Sequence, residues 1–433
     1  MTGINVSVEE RLAGMSSCDT FEGAALASIG DRGIFIHRPT FQSSAMPSKR
    51  AMETSPFSAM DVLERASERD GVVHMEVGEP DIEPPAAATE AAIASLREGN
   101  LDYTSSRGKP ALRESIAAHY DRTYGVDVSP DRIIVTPGSS PALLVTMLTT
   151  VDPGEEVVLT DPYYAPYPNF VRQADGRVST VPLDPGRNFE PRVQDFEARV
   201  TDETAALMVN SPANPTGAVM AGDTIEELVH LAERTETRVI SDEIYHGLAY
   251  DAPEHSVLEY TDEAFVLDGV SKRYGMTGWR LGWVVAPPGE IEAFNRLVQN
   301  VLICAPNFVQ DGARAAIETE PSWLDEARET YRERRDLLLD AAKRWGIDMG
   351  YTPAGAYYLL LDVSDLPGDA FEVADVFLEE ANVAMTPGPD FGSMAEGTLR
   401  ASYATSTADI ELAIDRLDEL FSEFAVETHF SRS

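Results

Sequence analysis

Lysine is scarce in this chain. Of 34 basic residues only Lys49, Lys109, Lys272 and Lys343 are lysines, and the rest are arginines. Lys272 stands in VSKRYGMTGWRLGW (270–283), between the strand-like FVLDGV (265–270) and a Gly-Trp-Arg turn. A lysine amine at such a strand end can be held in a cleft, where it is able to form a Schiff base with an aldehyde cofactor.

Four other runs carry residues that suit such a cofactor. NSPANPTG (210–217) follows the strand-like ALMVN, and its prolines hold Asn214 so that its amide enters the crevice where open α/β sheets bind ligands. In SDEIYHGLAY (241–250), Asp242 and Tyr245 are three residues apart and can reach one aromatic ring if the backbone turns helically. TPGSSPALL (136–144) opens a helix after a strand. The amides and hydroxyls of Gly138, Ser139 and Ser140 there make an anion site suited to a phosphate. DPYYAPYPNF (161–170) supplies Tyr164, a flat ring able to stack on another.

These loops need a frame that brings strand ends together. From about residue 57 helical runs at 58–68, 110–125 and 224–235 alternate with RIIVT, EVVLTDP, RVSTVPL, ALMVN, TRVISDE, FVLDGV and GWVVAP. Seven such strands predict an α/β domain with a mostly parallel sheet covered by helices on both faces, every motif loop leaving the same edge. After Pro288 the pattern changes to long helices, then YYLLLDV, a further helix and TLRASYA. This is a smaller α+β unit, completed by the helix near 57–70. No internal repeat or helix-turn-helix is present in the sequence.

A net charge of −39 is spread along all 433 residues. With so little lysine, it matches the surface chemistry of an extreme halophile, where carboxylates stay hydrated and salt screens their repulsion. It argues against nucleic-acid or anionic-membrane partners, which need a basic face. Two cysteines, Cys18 and Cys304, suggest neither a disulfide framework nor a thiolate metal site, and point to a reducing cytoplasm. No apolar run reaches the ~18 residues of a membrane helix. Residues 1–47 read as a loosely ordered extension, or as the product of an upstream start with Met46 the true first residue.

Taken jointly, N-x-P-x-N-P-T-G, D-E-x-Y, S-K-x-x-x-x-x-G-x-R and R-x-S-Y-A resemble the class I/II aminotransferases, pyridoxal 5'-phosphate enzymes of fold type I, over about residues 48–425. The resemblance implies that Lys272 forms the Schiff base and moves the substrate Cα proton, and that Asp242 keeps the pyridine nitrogen protonated. Tyr245 and Asn214 would bond the phenolic oxygen, and Tyr164 would stack on the ring. Arg280, Ser271, Ser139, Ser140 and the Gly138 amide would hold the phosphate. Arg400 would clamp the substrate carboxylate, and Gly78, in EVGEPD (76–81), would contribute a backbone amide. Tyr103 matches a tyrosine that reaches the neighbouring subunit's phosphate, which implies a homodimer with shared sites. Residues 48–85 and 321–433 would form the small domain, and 86–320 the large, cofactor-binding one.

Two departures stand out: Gly269 and Ser140 replace a phosphate-binding serine and, in relatives acting on acidic substrates, a lysine. Amino-group transfer from an L-amino acid to a 2-oxo acid by a ping-pong cycle is the leading expectation. A lyase on the same scaffold is the alternative, and a non-catalytic cofactor-binding regulator a third. No metal is expected. His246 is expected to pack; His74, His119, His230, Arg172 and Arg273 receive no role.

Overall fold

The strands that flank the motifs are apolar almost throughout, as expected where a parallel sheet is covered on both faces. The computed structural model describes residues 47–319 and 322–431, and the described residues from Lys49 onward form one compact unit. The expected extension over 1–47 lies outside the described residues but for Pro47. After a helix at Ser58–Ser67 and a short strand β1 (Val73–His74), the chain lays down β2 (Ile133–Thr136), β3 (Glu156–Asp161), β4 (Arg177–Pro182), β5 (Thr204–Asn210), β6 (Arg238–Asp242), β7 (Ala264–Gly269) and β8 (Gly282–Val285). All seven expected strands join one sheet in the order β2-β8-β7-β6-β5-β3-β4. Only β8 runs antiparallel to its neighbours.

Alternation along each strand sends neighbouring residues to opposite faces. Val135, Val158, Leu207, Val266 and Trp283 enter the apolar cluster on one face. Ile134, Leu159, Met208, Phe265 and Leu267 enter the cluster on the other. Each such side chain contributes roughly 1.5–3 kcal/mol by leaving water, so register is tightly fixed. Register in turn places the chemistry: Asn210 pairs with Asp242, and Gly269 pairs with Gly282.

The reversal of β8 matters for the site. Because β8 begins where the parallel strands end, Arg280, two residues before it, joins the loops at their carboxyl edge. A Cβ on Gly282 would lie 2.9 Å from the Ser139 nitrogen, and one on Gly269 would lie 2.9 Å from the Leu281 carbonyl oxygen. The glycine at 269, read as a departure, thus has a steric cause in this backbone.

A second, antiparallel sheet joins β9 (Tyr358–Asp362), β11 (Thr386–Pro387) and β12 (Thr398–Ser402) in the order β11-β12-β9. Between them β10 (Val383–Ala384) pairs in parallel with β1, so residues before the large sheet meet residues far beyond it. The Ser58–Ser67 helix packs Val62 and Ala66 against Leu378 and Ala384. Among the described residues no helix is long and apolar enough to cross a membrane, and no cluster of His, Cys, Asp and Glu could hold a metal.

Candidate active site

At the carboxyl edge of the large sheet lies a cavity of about 210 Å³, lined by Gly78, Ser139, Ser140, Tyr164, Asn214, Asp242, Tyr245, Lys272 and Arg400 among others. Lys272 enters it from the turn that follows β7, and its Nζ donates to the Gly78 carbonyl at 2.7 Å. The same nitrogen lies 5.9 Å from the centroid of the Tyr245 ring. Burial first, then the Arg400 charge, lowers its basicity to about 8. The free amine is therefore more accessible near neutrality than on an exposed lysine.

Asp242, the last residue of β6, is fixed from two sides. The Tyr167 hydroxyl donates to Oδ2 at 2.7 Å, and the Ile244 amide donates to Oδ1 at 3.2 Å. Burial pushes this carboxyl up to about 6 against the pull of those donors. A positive charge over it would offset that cost. No helix follows β6; Tyr245 reaches the same cavity from a turn.

The Asn210–Asp242 register has a direct product: Asn210 donates to the Asp242 carbonyl at 2.8 Å, and its Oδ1 receives the Asn214 amide at 2.8 Å. Asn214 is thereby held with Nδ2 at 3.4 Å from the Tyr245 hydroxyl and Oδ1 accepting from Arg400 at 3.1 Å. Arg400, 2% exposed, also donates to the Glu76 carbonyl and is sandwiched between the Tyr358 and Phe391 rings, each centroid 4.7 Å away. Its Nε is buried without a partner. An arginine so enclosed, with a donor unspent, is poised for an anion that enters the cavity.

The opposite end is built on backbone. Gly138, at φ 99°, leads into the helix Ser139–Thr150, which no side chain caps. Its first amides remain available to an anion. Arg280 itself adopts a left-handed conformation, φ 53°, and a Cβ on Gly138 would fall 2.5 Å from its Nη2. Ser271 is buried beside Lys272. Tyr103 is 82% exposed and apart from this cavity.

These features fit pyridoxal 5'-phosphate. The amine, a buried carboxylate, an uncapped helix start with a guanidinium over it and a flat tyrosine match its aldehyde, pyridine nitrogen, phosphate and ring respectively. Seven strands with this order and this cavity define a fold type I enzyme. The family model for aminotransferase class I and II matches residues 70–417, and the chain belongs to that family. It is 36% identical over 385 residues to an aspartate/prephenate aminotransferase of Thermus thermophilus (85% of this chain, 97% of the relative). It is likewise 36% identical over 370 residues to a valine–pyruvate aminotransferase of Mycobacterium tuberculosis (84% and 95%). The crystal structure of Thermus thermophilus aspartate aminotransferase with maleate superposes with a TM-score of 0.82 at 35% identity, over 86% of this chain and 99% of that one. The protein is an aminotransferase that uses pyridoxal 5'-phosphate, and the lyase alternative is not favoured.

Several residues in and around the site were not singled out in the sequence. Tyr358 bonds Tyr245 hydroxyl to hydroxyl at 2.9 Å, covers Arg400, and occupies the space a Cβ on Gly78 would need. Its only sequence signal is the Tyr-Tyr pair of a strand otherwise read as core. Tyr167 lies three residues after Tyr164 and holds Asp242. Arg273 received no role in the sequence, whereas His246, expected to pack, is indeed buried. Arg273 Nε donates to the His246 carbonyl at 2.8 Å, tying the turn that carries Lys272 to the turn that carries Tyr245. Its Nη1 meets His119 Nε2 at 2.6 Å, which must be the acceptor because arginine only donates.

Proposed function

We propose that this chain carries amino-group transfer between an L-amino acid and a 2-oxo acid through the residues gathered in the cavity, in a ping-pong cycle. Lys272 would hold the cofactor covalently through Nζ and, once displaced by the substrate amine, take the proton from the substrate Cα and deliver it to the cofactor's C4' carbon. Burial that depresses its basicity supports this role, since a free amine is needed to take a proton near neutrality. When bound, pyridoxal 5'-phosphate supplies the electron sink that makes the Cα proton removable. Asp242 would keep the ring nitrogen protonated, with Tyr167 holding the carboxylate in place. Asn214 and Tyr245 would hold the phenolic oxygen, and Tyr164 would lie against the ring.

Gly138, Ser139, Ser140, Ser271 and Arg280 would bind the phosphate. Arg400 would take the substrate carboxylate in a two-point contact that orients the Cα–H bond. Gly78 would contribute main-chain contact on the substrate side; its carbonyl, accepting from Lys272, supports that placement. Tyr103, too exposed to serve its own chain, supports a homodimer in which it completes the partner's phosphate site. We further read the protein as cytoplasmic and salt-adapted, on its cysteine usage and its acidic, lysine-poor composition. The division into 48–85 with 321–433 and 86–320 is part of the same reading, supported by the seven-stranded sheet lying within 86–320 and by β1 pairing with β10.

The observation that carries this reading is the meeting of Lys272, Asp242, Asn214, Tyr245 and Arg400 in one cavity. Its test is a half-reaction: holoenzyme given an amino acid without an oxo acid should yield one equivalent of 2-oxo acid and pyridoxamine phosphate, read by mass spectrometry. Release of an elimination product with the cofactor unchanged would overturn it.

A further inference from the structure

Once the cofactor and the α-carboxylate have been given their partners, the remaining lining of the cavity is Phe57, Ala59, Met60, Val77, Leu143 and Ile244, together with Asn210 and Tyr358, whose polar atoms are engaged by Asp242, Asn214 and Tyr245. Lys272, Asp242 and Arg400 are the charged side chains lining the cavity, and all three are engaged in the roles just given. Among the described residues no further cation lines it.

The Phe57 wall is also firmly placed. The Ser58 amide and hydroxyl both donate to the Asp390 carboxylate, at 2.7 and 2.8 Å. The Ser55 backbone exchanges hydrogen bonds with the Asn169 amide group, at 3.0 and 3.1 Å. The Phe57 ring then meets Tyr164 edge-on with centroids 6.0 Å apart. Four polar anchors around one phenyl ring hold an apolar surface at the cavity where an unanchored segment would let it drift.

Fixed charge near this wall is mostly negative, since the nearby Arg172 is engaged by Ser55 Oγ at 3.4 Å and Asn169 Oδ1 at 3.1 Å and Arg280 is assigned to the phosphate. Asp390 anchors the start of the helix that carries Ala59 and Met60, Asp61 follows Met60, and Glu79 stands close enough to Lys272 to act on its charge. On this chain's side of the pocket a second carboxylate would meet apolar groups and these acids, with no unspent cation among the described residues lining the cavity.

Resting on the aminotransferase reading, we infer that the substrate side-chain pocket selects amino acids with uncharged, apolar side chains and rejects those with a second carboxylate, and that Phe57 and Met60 set this preference. The test compares kcat/KM of the holoenzyme in molar KCl for alanine, leucine, methionine, phenylalanine, aspartate and glutamate, following conversion of the bound cofactor. Leucine, methionine or phenylalanine should exceed aspartate and glutamate by roughly a hundredfold or more, the range an apolar pocket can supply.

Phe57→Ala should lower kcat/KM for leucine about tenfold more than for alanine, and Met60→Lys should raise the aspartate-to-leucine ratio about tenfold. Aspartate or glutamate matching the apolar donors would overturn the inference while leaving the aminotransferase reading intact. Conversion of the cofactor by none of the six donors would overturn both. A Phe57→Ala protein that loses leucine and alanine activity equally would show that Phe57 only supports the fold, and would sink its assignment.

Discussion

Lys272 and Arg273 are neighbours in the chain and serve opposite surroundings. Lys272 enters a cavity whose polar groups keep unspent hydrogen-bonding capacity, Arg400 Nε foremost. Arg273, 4% exposed, enters a cluster in which His119, Tyr124 and the His246 carbonyl bond to it and Glu254 and Glu243 lie close by. Burial holds both histidines neutral, lowering His119 to about 2 and His246 to about 4. The first cluster is arranged for something that arrives; the second, His246 Nε2 aside, is spent on groups already there. One peptide unit thus joins the cavity amine to a rigid mount, so the proposed proton-moving group can be held still on a turn.

The comparison can be broken from either side. Lys272→Ala should cost the most, roughly a hundred- to ten-thousandfold or more in turnover, while leaving the melting temperature of the protein near that of the parent. Next comes Arg400→Gln, which leaves the Glu76 carbonyl and the incoming carboxylate short of a cation. We expect kcat/KM to fall by about 2–5 kcal/mol, carried mainly by KM, in steady-state assays. Arg273→Met attacks the mount: chemical denaturation should show a loss of about 3–5 kcal/mol. Unaltered stability there would mean that the sealed cluster holds nothing in place.

The smallest effect concerns Asp242 in the cofactor-free protein. Its carboxyl titrates at about 6 when folded, above the ordinary value of 3.8, so the folded state keeps the proton longer. Its contribution to stability is therefore largest below pH 3.8 and falls away as pH rises toward 6, by on the order of 3 kcal/mol. Asp242→Asn should remove that slope and leave the variant more stable than the parent at pH 7, yet nearly inactive once loaded with cofactor. Urea titrations between pH 4 and 7 decide it; parallel pH profiles for the two proteins would refute the assigned cause.

Much of the fold was legible because its signals are local. Each β-branched run became a strand, since burial on both faces demands continuous apolar sequence, and the loops that follow β2, β3, β5, β6 and β7 met at one edge because parallel strands share a direction. Lys272, Asp242 and Asn214 could be named for the same reason: each sits at a strand end in a short, stiff motif. Tyr167, three residues from Tyr164 in the same motif, was not named because nothing local marks its hydroxyl as the partner of Asp242. Tyr358 could not be named, because a tyrosine in an apolar strand looks like core.

Composition and motif order therefore settled the class of chemistry and the strand set, and they singled out Lys272 as the proposed amine. Tertiary structure decided how those residues are tuned and which others serve them. Arg400 reaches the Glu76 carbonyl across 324 residues and Lys272 reaches Gly78 across 194. The apolar wall at Phe57 faces Tyr164 only because Asp390 and Asn169 hold it there. Contacts of that separation depend on how two sheets pack, and so do burial and the shifts it imposes on Lys272 and Asp242. A sequence states which groups are present; the dielectric around them exists only once the chain has closed over itself.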